Sequence, residues 1–198
     1  GTEKMREDAE KMGMTRGGHG ACPGRAAAAY SETMLETDGE IRVGHFSDLH
    51  LPLNHPVPIH KLACKRALGY ANLRLRRAAT HKLELFEALL AAASEERPDL
   101  TAITGDITNL ALDFEFAEVT RLLRKHGVVS GRTLVLPGNH DRYTPTADYG
   151  EAFERGMRAW IPVGFRRLHD YPLVRCIGPV ALFGLDTAIW RGPLRAAG

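Results

Sequence analysis

The chain has 198 residues, 44% of them apolar and 25% charged, with a formal net charge of +2. That is an ordinary globular composition, which excludes wholesale disorder, collagen and coiled coil and carries no global charge signal for a nucleic-acid or membrane partner. No stretch reaches the ~18 apolar residues of a membrane helix. The three cysteines, Cys22, Cys64 and Cys176, form no CxxC pair, which argues against a disulfide scaffold or zinc ribbon and for a reducing, cytoplasmic compartment.

Residues 1–39 carry Gly, Ala and charges without periodicity and no secretory pattern; they read as a disordered or ill-defined leader, with the domain occupying 40–198. Ile41–Phe46 predicts a short strand running into a polar loop, and the prolines of Leu51–Pro58 exclude a regular helix there. His60 to Glu96 reads as helical, with Leu83, Phe86, Leu90 and Ala93 on one face and Pro98 as the stop. Leu100–Thr104 is a buried strand. Asp113 caps a helix over Phe114–Lys125 that Gly127 ends. Thr133–Leu136 is a further strand, Tyr149–Trp160 a helix, and Leu173–Ile177 with Val180–Leu185 a hairpin about Gly178-Pro179. The alternation of strand and helix through the middle implies an α/β fold with a parallel sheet and crossover helices.

Three of these strands end in polar clusters: Phe46-Ser47-Asp48-Leu49-His50, Thr104-Gly105-Asp106 and Pro137-Gly138-Asn139-His140-Asp141. Ligands of open α/β sheets bind beyond the carboxyl ends of the strands, so parallel pairing would bring the clusters to one edge. In an extended segment Asp48 and His50 point the same way and can grip one cation together. Asp106 can bridge two cations, Asn139 offers a neutral oxygen, and His140 can ligate or donate a proton. Carboxylate, imidazole and amide together suit Mn, Fe or Zn, while Gly105 and Gly138 allow sharp turns. Any one cluster alone is an ordinary turn or cap; three in this order at three strand ends are not.

Asp48-x-His50, Gly105-Asp106 and Gly138-Asn139-His140-Asp141 resemble the first three blocks of the calcineurin-like metallophosphoesterase superfamily. Phe46–Leu51 and Thr104–Thr108 are most similar to bacterial enzymes of the cyclic-nucleotide phosphodiesterase type. The resemblance implies a two-sheet sandwich flanked by helices and two metal ions. Asp48 and His50 would hold the first ion, Asp106 would bridge, Asn139 would hold the second, and His140 would face the substrate phosphate. It further implies a metal-dependent hydrolase acting on a small phosphodiester through activated hydroxide, with nucleic acid the less favoured substrate. Rivals are a nuclease, a lipid-precursor pyrophosphatase, or a non-catalytic scaffold; scaffolds of this kind lose the histidine that stands here as His140.

The later histidines of the family pattern do not occur, and after Asp141 the only histidine is His169. The expectation is therefore a C-terminally truncated domain whose second half is incomplete, inactive by itself. Weaker signals are a basic stretch with Lys61, Lys65, Arg66, Arg74, Arg76, Arg77 and Lys82, read either as a flap attracting an anionic substrate or lipid surface, or as a solvated helix face. His55 and His60 read as exposed loop histidines. Cys64 and Cys176 read as packing residues, Trp160 and Trp190 as core or edge, and Asp186 as a turn or strand-end cap.

Overall fold

A computed structural model describes residues 39–53, 56–62, 65–77, 83–165, 167–190 and 192. The leader, His55, Cys22, Cys64 and Lys82 lie outside the described residues. Three strands, β1 (Val43–Ser47), β2 (Leu100–Thr104) and β3 (Thr133–Leu136), form a parallel sheet in the order β1-β2-β3. Ser47 pairs with Thr104 and Thr104 with Leu136, so all three strands end at one level of the sheet. A second sheet is the antiparallel hairpin of β4 (Leu173–Ile177) and β5 (Val180–Gly184). The α/β, two-sheet architecture expected from the sequence is thus observed.

The expected helix from His60 to Glu96 is broken. It consists of a 3-10 turn at Ile59–Lys61, helix α1 (Lys65–Asn72), a π turn at Leu73–Arg77 and helix α2 (Leu83–Glu95). The apolar face of α2 is as read: Phe86 and Leu90 are buried. Helix α3 (Asp113–Lys125) starts one residue earlier than expected, with Leu112 rather than Asp113 at the N-cap. The buried Glu115 caps it instead, accepting from the Leu112 N–H at 2.9 Å. Its C-terminus closes on Gly127 (φ +69) as foreseen. Gly127 N–H donates to Arg124 and Val128 N–H to Leu123, the paired bonds of a Schellman ending. The Tyr149–Trp160 helix is instead two short ones, α4 (Pro145–Tyr149) and α5 (Ala152–Gly156), separated where Glu151 takes φ 50. A last short helix, α6 (Arg167–Asp170), precedes the hairpin.

The core lies between the sheet and α2, α3 and α5, with Ile103, Val135, Val119, Leu122, Phe116 and Phe153 almost fully buried. Trp160 is core, as expected. The hairpin packs on β3: a Cβ at Gly184 would stand 2.7 Å from the Leu136 side chain, and the buried Arg175 donates to the carbonyls of Thr133 and Trp160. One expectation is corrected. Cys176 is an exposed, disulfide-bonded residue rather than a packing thiol, its partner lying outside the described residues. Cysteine spacing does not disclose a bridge between distant segments.

Candidate metal centre

Asp48, Asp106 and Asn139 follow the ends of β1, β2 and β3, and β2 is the middle strand. Asp106 therefore emerges between the other two. The strand pairing continues into the loops: His50 N–H donates to the Asp106 carbonyl at 2.8 Å and Leu51 N–H to Ile107 at 2.9 Å. This pins the Asp48–His50 segment to the Gly105–Ile107 segment, but in an unexpected backbone form. Asp48 (φ 53), His50 (φ 40) and Asp106 (φ 47) all occupy the left-handed region, which costs a non-glycine residue about 1–2 kcal/mol. The extended geometry expected for Asp48-x-His50 is thus not adopted. The two side chains still converge, because two left-handed residues curl the chain around the Asp106 loop. Strain of this kind gathers at functional sites.

Each of Asp48, His50 and Asp106 offers a ligand atom within 4.8 Å of those of the other two. His50 Nε2 stands 3.8 Å from Asp106 Oδ2. His50 is buried and Asp48 exposed, so the cluster has a supported side and an open one. The third loop wraps the other side of Asp106. His140 N–H donates to Asp106 Oδ1 at 2.8 Å, and a Cβ at Gly138 would fall 2.2 Å from that same oxygen. Gly105, at φ +75, lies against the Gly138 Cα. The two glycines serve close loop-to-loop approach as well as turning. Asn139, between Gly138 and His140, lines a cleft beside the cluster together with His140.

Asp141 holds the second and third loops together. Its carboxylate is wholly buried and accepts from Gly138 N–H, Ile107 N–H, Thr108 N–H and the Thr108 hydroxyl. Burial raises its pKa to about 6 against the lowering effect of these bonds. Asn109, buried and unnoticed in the sequence, donates its amide to the Leu51 carbonyl at 2.5 Å and offers its own carbonyl to His140 Nδ1 at 2.8 Å. A carbonyl only accepts, so Nδ1 carries the proton and Nε2 is the atom left for other chemistry. His140 stands edge-on to His50, with ring centres 4.9 Å apart, and stacks on Tyr143 at 5.2 Å.

The remaining candidates fall elsewhere. His60, Lys61 and Arg74 are exposed, whereas Arg66 turns inward to the Leu110 and Ala111 carbonyls. Asp186 caps Ala188 N–H, as expected of a turn residue, and also pairs with the buried Arg142 and with Arg167. That network, with Glu154 and Asp148 on the same arginines, ties the segment after β5 to α4 and α5.

A carboxylate–imidazole–carboxylate cluster at the C-terminal edge of a parallel sheet is a candidate site for a metal ion. Such a cluster beside a cleft suits a metal-dependent hydrolase. The family model of calcineurin-like phosphoesterases matches residues 41–185, and the chain belongs to that family. No curated protein matches the chain. Among the described residues no helix is long and apolar enough to cross a membrane.

Proposed function

We propose that this centre hydrolyses a small phosphodiester, a cyclic nucleotide being one candidate. Asp48, His50 and Asp106 serve as ligands of one ion, Asp106 and Asn139 serve a second, and His140 meets the substrate phosphate. The observation that carries this reading is the meeting of Asp48, His50 and Asp106 ligand atoms within 4.8 Å. Their mixed oxygen and nitrogen character fits Mn, Fe or Zn. When bound, two such ions polarise the phosphoryl oxygens and make a nucleophile of water near neutral pH.

The protein's own residues position and neutralise. Asp106 is fixed by the His140 N–H, so its second oxygen is kept on the His50 side. The Asn109 carbonyl holds the His140 ring with Nε2 directed away from it, where once protonated it donates to a phosphate oxygen or to the departing oxygen. Among the described residues Asp106 and Asn139 are the two candidates for the second ion, too few protein ligands to hold it tightly by themselves, so that ion is expected to bind more weakly than the first.

The test is metal stoichiometry and bis-p-nitrophenyl phosphate hydrolysis by the protein in Mn²⁺. One tight ion, and hydrolysis that is lost in Asp48→Ala and His140→Ala, is the expected result. A chain that binds no Mn²⁺, or hydrolysis indifferent to Asp48, overturns the reading.

A further inference from the structure

A cleft of about 220 Å³ adjoins the cluster, with Asn139 and His140 on one wall and Lys65, Gly69 and Asn72 of α1 on the other. Spacings of four and three put these α1 residues on one helix face. Two features dock that face. Arg66 donates to the Leu110 carbonyl at 2.9 Å and the Ala111 carbonyl at 3.0 Å. At Gly69 the helix comes so close to Tyr143 that a Cβ would stand 2.3 Å from the phenolic oxygen. One turn earlier, this approach sets Lys65 Nζ 4.5 Å from the centre of the Tyr143 ring.

Lys65, Tyr143, His140 and His50 thus form a continuous row, each touching the next, from the cleft to the metal-ligand cluster. Among the described residues no carboxylate pairs with Lys65, and partial burial lowers its pKa. A cation that has lost part of its water and has no counter-ion attracts an anion more strongly than a solvated one. Tyr143 separates the ammonium from His140, so Lys65 faces a different part of a bound substrate from the part His140 meets.

We propose that Lys65, with Asn72 two turns along the same helix face, forms a second anion subsite, and that the preferred substrate carries a second phosphate set apart from the scissile phosphodiester by the width of the Tyr143 ring. The assignment of substrate class rests on the phosphodiester reading of the centre; the subsite itself is a property of α1 and is measured without metal or turnover.

The experiment is calorimetric titration of the metal-free chain with thymidine 3′,5′-bisphosphate and with thymidine 5′-monophosphate, which differ by the spaced phosphate alone. The bisphosphate is expected to bind about five- to tenfold more tightly, the range of a partly desolvated charge pair. Lys65→Met, which keeps the aliphatic stem over Tyr143, should bring the two affinities together, Lys65→Arg should keep most of the difference, and high salt should erode it. Thermal melting checks that the variants fold; if Lys65→Met does not, the wild-type ratio and the Lys65→Arg ratio decide. Equal affinities in the wild type, or a preference untouched by Lys65→Met, overturn the subsite. Failure of Mn²⁺-dependent hydrolysis would strike the phosphodiester reading and leave this measurement standing.

Discussion

The backbone N–H of His140 donates to Asp106 Oδ1 at 2.8 Å, joining the loop after β3 to the carboxylate after β2. One oxygen of Asp106 is thereby committed to protein and the other is left facing His50 at 3.8 Å. Removing that carboxylate should release both the metal and the loop. Asp106→Ala is expected to lower Mn²⁺ affinity by at least about 100-fold and, on the phosphodiester reading, to abolish hydrolysis. Asp106→Asn, which can still accept from His140, should lose metal affinity with a smaller loss of melting temperature. Equilibrium dialysis and calorimetric melting on both variants provide the check.

Gly138→Ala tests the contact between the two loops. The new Cβ would lie 2.2 Å from both the Asp106 nitrogen and Oδ1, so backbone, and not merely a side-chain tip, must shift. We expect about 1–3 kcal/mol of destabilisation in urea unfolding, accompanied by weaker Mn²⁺ binding. A control at Gly131, where a Cβ meets nothing within 4 Å, should change neither.

Arg142 is fully buried and pairs with Glu154 and Asp186, with Asp148 at 3.7 Å. Arg142→Met removes the cation, leaves buried Glu154 with no cation among the described residues, and leaves Asp148 and Asp186 sharing Arg167. Breaking a buried ion pair from one side costs about 3–5 kcal/mol, which for a domain of this size is a melting-temperature fall on the order of 10 °C. An unchanged melting temperature would mean that Arg167 alone neutralises the cluster.

Glu115 supplies a pH signature. Burial, its largest influence, raises its pKa to about 7 from the model-peptide 4.5, although three backbone N–H groups act in the other direction. A carboxyl whose folded pKa lies above its unfolded one binds more protons when folded. Its contribution to stability is full below about pH 4.5, falls as pH rises, and has levelled off above about pH 7. Linkage sets the fall at roughly 3–4 kcal/mol. Urea unfolding between pH 5 and 8 should therefore show wild type losing stability more steeply than Glu115→Gln. That variant starts less stable, because its amide nitrogen must oppose one of the same N–H groups.

Much of this protein was legible before any coordinates. The apolar runs Leu100–Thr104 and Thr133–Leu136 are strands with those bounds, because a short run packed on both faces leaves little choice of structure. Alternation of strands with helices implied a parallel sheet, and a parallel sheet delivers its strand ends to one edge. That is why Asp48, His50 and Asp106, distant in the chain, could be named together. The break of the His60–Glu96 segment was not legible, since residues 65–77 carry enough apolar positions to sustain a helical period, and the close approach of α1 to Leu110 and Tyr143 at Gly69 is a tertiary contact with no local trace. Nor was the left-handed backbone of Asp48, His50 and Asp106: Asp and His enter that region more often than most residues, but nothing local requires it at these three positions. Only hydrogen bonds to the neighbouring loop hold it, and those exist once the strands are paired.

The sequence by itself determined which residue types stand at which strand ends, and with them the donor chemistry of the centre. Tertiary structure alone decided what supports it: Asn109 orienting His140, Asp141 bolting two loops together, Glu115 capping α3 and Lys65 brought over Tyr143 by the gap at Gly69. The physical reason is range. Hydropathy and strand pairing act over a few residues and a repeating lattice, so they leave a periodic trace in the chain. A buried polar group finds its partner across tens of residues, at a distance set by the packing of everything between, and a single Asn or Glu in the sequence carries no mark of which carbonyl or N–H it will meet.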